Sequence, residues 1–184
     1  MIDQHLDQAR EKMAKAIESL TNDLSTISTG RANPDMLNPV RVDAYGSQMP
    51  ITQTANISVS DSTTISVQVW DSGLVKAVEK AIINANLGLN PSTDGQLIRI
   101  NIPKLSEERR VEFVKLAKKY GEDRKISIRN SRRDSIDHFK RENEEGTSKD
   151  DVHAFTSEVQ KITDENIEKI DRLVSQKETE IMAV

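Results

Sequence analysis

The sequence predicts an α+β protein, an elongated three-helix bundle carrying a small inserted β/α/β domain. Three observations lead there. Apolar residues step by three or four at both ends of the chain, whereas those in the middle alternate with period two. The composition is also lean, with 35% apolar and 3% aromatic residues against 30% charged in a chain of 184. Ordinary globular domains run nearer ~45–50% apolar, so this chain lacks the bulk for one thick core and suits long, solvent-bathed helices. The change of pattern divides it into residues 1–30 with 105–184, which form the bundle, and residues 31–104, which form the insert.

The first helix is read from Ile2, Leu6, Ala9, Met13, Ala16, Leu20, Leu24 and Ile27, with Ile17 widening the stripe. This spacing, close to 3.5, is a coiled-coil-like seam that needs helical partners. The pattern stops at Ser28-Thr29-Gly30, where Gly30 suits the position just past a helix and Pro34 blocks its resumption.

The partners lie at the other end of the chain. Ser106 can cap a second helix whose first turn holds Glu107 and Glu108, well placed for the helix dipole, and which runs to about Glu145 before Gly146. Thr147 and Ser148 offer a cap for a third, along which Val152, Phe155, Val159, Ile162, Ile167, Ile170, Val174 and Ile181 repeat helically. Asn166 falls beside that seam: buried, it would set register, and an exposed position fits the spacing equally well. At ~1.5 Å per residue the bundle would be roughly 40–60 Å long.

Between these helices, Val40–Gly46 alternates into a turn, and Met49–Ile51, Ile57–Val59, Ile65–Trp70 and Leu97–Pro103 read as further strands. One helix separates the last two, capped by Asp71 or Ser72, carrying Leu74, Val75, Val78, Ile82 and Ala85, and closed by Gly88. The chain therefore crosses between domains twice, near Thr29-Gly30-Arg31 and Pro103-Lys104-Leu105. Two crossings would forbid free tumbling and leave a hinge through both.

Several function classes are excluded. The chain has no cysteine, hence no disulfide, thiolate metal site or cysteine nucleophile. It lacks a phosphate loop and the GxGxxG, HExxH and GxSxG signatures, so neither catalysis nor a cofactor is expected. No apolar run is long enough to span a membrane, and the start, Met1-Ile2-Asp3-Gln4-His5-Leu6, does not resemble a signal peptide. A monomeric cytoplasmic protein is the expectation. His5, His138 and His153 fall in separate helices. A zinc site would require them to converge with a carboxylate, so they are assigned to solvated helix surface.

The charge is polarised. Residues 105–141 carry 12 basic and 7 acidic side chains, and residues 142–184 carry 5 and 12, within a chain of net charge −4. Local charge sets the field at a docking face, so an acidic protein can still present a basic one. Lys118, Lys125 and Arg132 recur every seven residues in the second helix, with Arg129 and Arg133 nearby and Arg109 and Arg110 at its start. Such a stripe suits a phosphate backbone. The plainer reading is that it pairs with the acidic third helix inside the bundle. Arg129-Asn130-Ser131-Arg132-Arg133-Asp134 favours the first, because its three arginines face only Asp134 locally, and the absence of interleaved aromatics argues for backbone docking over base stacking.

Five motifs together resemble the bacterial ribosome recycling factor family: Thr29-Gly30-Arg31-Ala32-Asn33-Pro34, Ala77-Val78-Glu79-Lys80-Ala81-Ile82, Leu87-Gly88-Leu89-Asn90-Pro91, Glu107-Glu108-Arg109-Arg110 and Arg129-Asn130-Ser131-Arg132-Arg133-Asp134. The resemblance covers essentially the whole chain. It implies an L-shaped, tRNA-sized protein that binds the large subunit of the post-termination ribosome, where elongation factor G and GTP drive the subunits apart. It further implies that Arg132, with Arg129 and Arg133, contacts ribosomal RNA and that Arg31 lies at the elbow. The family commonly carries a basic residue just before Thr-Gly-Arg, where this sequence has Ser28; a phosphate contact there is either missing or supplied elsewhere. The competing reading is a helical adaptor for a protein partner, its basic stripe only a solvated surface.

Overall fold

The computed structural model describes residues 2–142 and 146–183, and the chain divides into two compact units, Met1–Thr29 with Glu107–Val184 and Gly30–Ser106. Its architecture is α+β.

The first unit is built from α1 (Ile2–Ser25), α3 (Glu107–Glu142) and α4 (Lys149–Met182). Ion pairs and ring contacts fix their directions. Asp23 meets Arg124 while His5 meets Glu142, so α1 and α3 are antiparallel; Lys118 meets Glu178 while Lys125 meets Asp171, so α3 and α4 are antiparallel too. The predicted seam is the core: Leu6, Met13, Leu20, Leu24 and Ile27 pack with Ala117, Ile128, Phe139, Phe155, Val159, Ile162, Ile170 and Ile181. Phe139 and Phe155 stack with ring centres 4.2 Å apart. Asn166 is buried, and its amide donates to the Ile162 carbonyl at 2.7 Å and approaches the Met13 sulfur at 3.8 Å. The polar residue thus sits in the α1–α4 seam, its amide satisfied chiefly by its own helix and in reach of the Met13 sulfur of α1.

One helix end of the bundle differs from expectation. α1 stops at Ser25, well before Gly30. The hydroxyls of Ser25 and Thr26 donate to the Asn22 and Asp23 carbonyls at 2.6 Å, and the Ile27 amide reaches only back to Leu24 at 3.2 Å, tightening and ending the last turn. Ile27 nevertheless stays buried. At the start of α4, Ser148, one of the two residues offered, is the cap, its hydroxyl accepting from the Asp151 amide at 3.1 Å. The expected end of α3 near Glu145 lies outside the described residues.

Close approach of α3 to α4 depends on Gly121, in the middle of α3. A Cβ there would lie 2.6 Å from Cγ2 of Val174.

The second unit holds a hairpin of β1 (Arg41–Ala44) and β2 (Ser47–Pro50) and an antiparallel sheet in the order β3-β4-β6-β5, with α2 (Val75–Asn84) between the strands in sequence. The strands of the sheet are β3 (Ala55–Asp61), β4 (Thr64–Val69), β5 (Asn90–Asp94) and β6 (Leu97–Asn101). Alternation places Ile65, Val67 and Val69 of β4 and Ile98 and Ile100 of β6 in the core, with Val78 and Ile82 of α2. β5 is absent from the sequence reading. It is an edge strand of Asn, Pro, Ser, Thr and Asp with no buried residue, held by backbone pairing to β6, so no hydrophobic period betrays it. Asp71 does cap, but it caps a short 3₁₀ turn (Ser72–Leu74) that leads into α2. The residue following the α2 cap, Asn86, takes the left-handed conformation at φ 52°, a place expected for Gly88.

Candidate nucleic-acid interface

The basic residues of α3 separate into two groups that their spacing does not distinguish. At 100° per residue, Lys118, Lys125 and Arg132 keep to one side of the helix, and that side faces α4. There the Lys118 ammonium lies 3.9 Å from Glu178, and the Lys125 ammonium lies 2.6 Å from Asp171 and 3.3 Å from Glu122. The hydrogen bond to Asp171 raises the Lys125 pKa above its ordinary value, with burial opposing it and Glu122 assisting. For these two lysines the plainer expectation holds, since their charge is matched within the bundle. Arg124, on the α1 side, is likewise committed, with Nη2 and Nε at 2.7 and 3.3 Å from one Asp23 oxygen.

One step further along the same side the pattern changes. Arg132 meets no carboxylate: its Nη1 donates to Oε1 of Gln160 at 2.6 Å, and Gln160 in turn donates to Asp164 at 2.8 Å. The residue is half-buried rather than exposed, and its Nε is buried without a hydrogen-bond partner among the described residues. A neutral amide therefore holds the guanidinium in place without cancelling its charge.

Arg129 and Arg133 are exposed and have no carboxylate within 4.0 Å among the described residues. Together with Arg132 they form a patch of three guanidiniums. Sequence reasoning passed over its continuation. Lys115 and Lys119, also exposed, project within about 40° of the direction of Arg133 on the helical wheel. From Lys115 to Arg133 this outward face runs ~27 Å at ~1.5 Å per residue. The apolar residue Ile126, 52% exposed, lies in the middle of it. The signal was present in the sequence: these positions are the ones that the apolar seams of α3 leave over.

The remaining candidates stand apart from the patch. Arg109 pairs with Glu112 at 3.3 Å, and Arg110 is half-buried with its Nε unpartnered among the described residues. Arg31 is exposed in the other unit. Of the crossing residues, Gly30 has φ 71°, and a Cβ on it would lie 3.2 Å from both Cγ and the amide nitrogen of Leu105.

Comparison with known proteins decides the family. A family model described as "Ribosome recycling factor" matches residues 20–182. The chain belongs to the ribosome recycling factor family. It is 53% identical over 176 residues to the ribosome-recycling factor of Rickettsia peacockii, covering 95% of each chain, and 54% identical over 176 residues to that of Rickettsia typhi. A solution structure of a ribosome recycling factor superposes with a TM-score of 0.84 at 38% identity, covering 100% of this chain and 98% of the other. A second solved structure, 41% identical with a TM-score of 0.66 and covering 100% of both chains, is of models for the T. thermophilus ribosome recycling factor and the E. coli elongation factor G bound to the E. coli post-termination complex. No helix among the described residues is long and apolar enough to cross a membrane.

Proposed function

We propose that the chain recycles ribosomes in the cytoplasm as a monomeric, non-catalytic factor: it docks on ribosomal RNA of the large subunit after termination and, with elongation factor G and GTP, separates the subunits. The observation that carries the docking surface is the patch of Arg129, Arg132 and Arg133, three guanidiniums without a carboxylate among the described residues on a helix where Arg109, Lys118, Arg124 and Lys125 each have one. Arginine forks suit phosphate oxygens, and a patch on a rigid helix presents them at fixed spacing. Lys115 and Lys119 extend the track. Arg31 supplies a contact from the second unit, and Arg109 and Arg110 flank the start of α3. Lys118 and Lys125 act mainly within the bundle, at the edge of the interface.

No nucleophile, general base or cofactor is required in this reading, because a partner GTPase supplies the energy. The chain contributes a stiff helical body and a second unit joined to it by two crossings, Thr29-Gly30-Arg31 and Pro103-Lys104-Leu105, which serve as the hinge. The similarity to a structure solved with elongation factor G supports that partner. Co-sedimentation with purified large subunits across a salt series tests the docking: affinity should fall steeply with salt, as phosphate contacts release counterions. Salt-insensitive binding would favour the protein-adaptor reading. Loss of light scattering from 70S ribosomes on addition of the chain, elongation factor G and GTP tests the splitting.

A further inference from the structure

His5 is buried, which its surroundings alone do not explain. Its ring packs edge-on against Phe139 and Phe155, with centres 5.3 and 6.2 Å away, and its side chain is 8% exposed. An apolar residue would fill that place at no polar cost. The polar edge of His5 instead meets chemistry from α3. Its Nε2 lies 3.2 Å from Oε2 of Glu142, whose other oxygen lies 3.2 Å from Nε2 of His138. The two imidazoles are 5.5 Å apart, centre to centre, and the donor atoms of all three residues lie within 4.8 Å of one another. The expectation that the histidines are solvated helix surface fails for His5. The antiparallel run of α1 and α3 brings the first turns of one helix to the last turns of the other, which separation in sequence concealed.

The geometry points to a divalent transition-metal site, with zinc as the ion it suits best, formed by His5, His138 and Glu142. Two imidazole nitrogens and one carboxylate oxygen are a borderline-soft donor set that prefers zinc and its neighbours to magnesium or calcium. Ligands at ~2.0–2.1 Å from a tetrahedral zinc are about 3.3 Å from one another. Each imidazole Nε2 lies 3.2 Å from a different Glu142 oxygen and all the donor atoms lie within 4.8 Å, so a shift of these side chains brings both nitrogens and one carboxylate oxygen onto a single ion. His138 and Glu142 are four residues apart on α3 and so share a face, as helical metal ligands commonly do. Backing comes from Phe139 and Phe155, which hold the His5 ring in a fixed plane. His138 and Glu142 are both about half exposed, at 47% and 51%, leaving a path for the ion and room for water in the fourth position.

A metal bound there ties the start of α1 to the end of α3, positions far apart in the chain, and stabilises the helical unit by an amount that grows with the logarithm of the free metal concentration above the dissociation constant. It does not touch the arginine patch and is independent of the proposed ribosomal role.

The test is titration of the purified full-length chain with zinc chloride, by calorimetry and by thermal melting. One zinc per chain and a melting midpoint raised by several degrees are expected, with magnesium chloride giving neither. Cobalt(II) should give the visible absorption of a four- or five-coordinate site. His138→Ala and Glu142→Gln lie at the surface and leave the fold intact, so each should weaken zinc binding tenfold or more and abolish the shift in melting. His153→Ala, a histidine outside the cluster, should leave zinc binding within about twofold of the parent. Binding that is absent, or equally strong in His138→Ala, or weakened as much by His153→Ala, would overturn the site.

Discussion

Arg132 is held by Gln160 across 2.6 Å, and Gln160 is itself held by Asp164 at 2.8 Å. The acid is thus one residue removed from the guanidinium it helps to position. Where α4 places an acid directly against α3, as at Asp171 and Lys125, the cation is neutralised; at Gln160 it is only oriented.

That difference yields the first expectation. Gln160→Glu puts a carboxylate against Arg132. Its gain as an ion pair, about 0–1 kcal/mol at this half-exposed place, is offset by repulsion from Asp164 one turn away. Stability should change little, while binding to large subunits should weaken and its salt dependence flatten. Unaltered binding would show that the charge of Arg132 is not used.

Arg132→Ala removes the group itself. The side chain is half-buried, so a stability loss of about 1 kcal/mol is expected from the Gln160 bond. The loss in large-subunit affinity should be larger, about 1–3 kcal/mol, the scale of a charge-assisted contact. Adding Arg129→Ala should deepen it and lower the salt slope by a further ~0.7–0.9. Co-sedimentation at three salt concentrations measures both quantities, and an unchanged slope would remove the patch from the interface.

Leu20 is fully buried in the α1 seam. Leu20→Ala should cost about 2–5 kcal/mol, since a thin bundle has few neighbours able to collapse into the space. Chemical denaturation monitored by circular dichroism gives the value directly. A loss below about 0.5 kcal/mol, typical of surface changes, would contradict the packing.

Gly121→Ala should destabilise the chain even though alanine is the better helix former by about 1 kcal/mol. The added methyl would meet Val174 Cγ2 at 2.6 Å, and overpacking of this kind costs about 1–3 kcal/mol. Val174→Ala introduced alongside should recover most of the loss. If Gly121→Ala alone is stabilising, α3 and α4 are not pressed together at this point.

Gly30 and Gly88 are a matched pair, at φ 71° and 69°. Valine at either strains the backbone by about 1–2 kcal/mol, but only Gly30 has a neighbour in the way, Leu105, while nothing lies within 4 Å of Gly88. Gly30→Val should therefore reduce subunit splitting, followed by light scattering with elongation factor G and GTP, beyond what its melting temperature accounts for. Gly88→Val should reduce splitting only in step with stability. Equal effects would deny the crossing a part in the mechanism.

The elements with a strong hydrophobic period were legible from the residues alone. Leu6, Met13, Leu20 and Leu24 of α1 and Phe155, Val159, Ile162 and Ile170 of α4 announce their seams, and Ile65, Val67, Ile98 and Ile100 announce a half-buried sheet, because burial of one face leaves its period in the chain. Strand β5 was not legible: backbone pairing at an edge makes no demand on side chains. Nor could spacing alone tell the paired cations from the unpaired ones. Lys118, Lys125 and Arg132 have one periodicity, yet Glu178, Asp171 and Gln160 decide what each can do, and these come from a helix that meets α3 only after folding. The same holds for His5, His138 and Glu142, joined by the antiparallel run of α1 and α3. A sequence records which face of each element is buried; which residue of another element stands opposite a given side chain is a property of packing, and that opposition sets whether a charge is free, matched or able to share a metal ion.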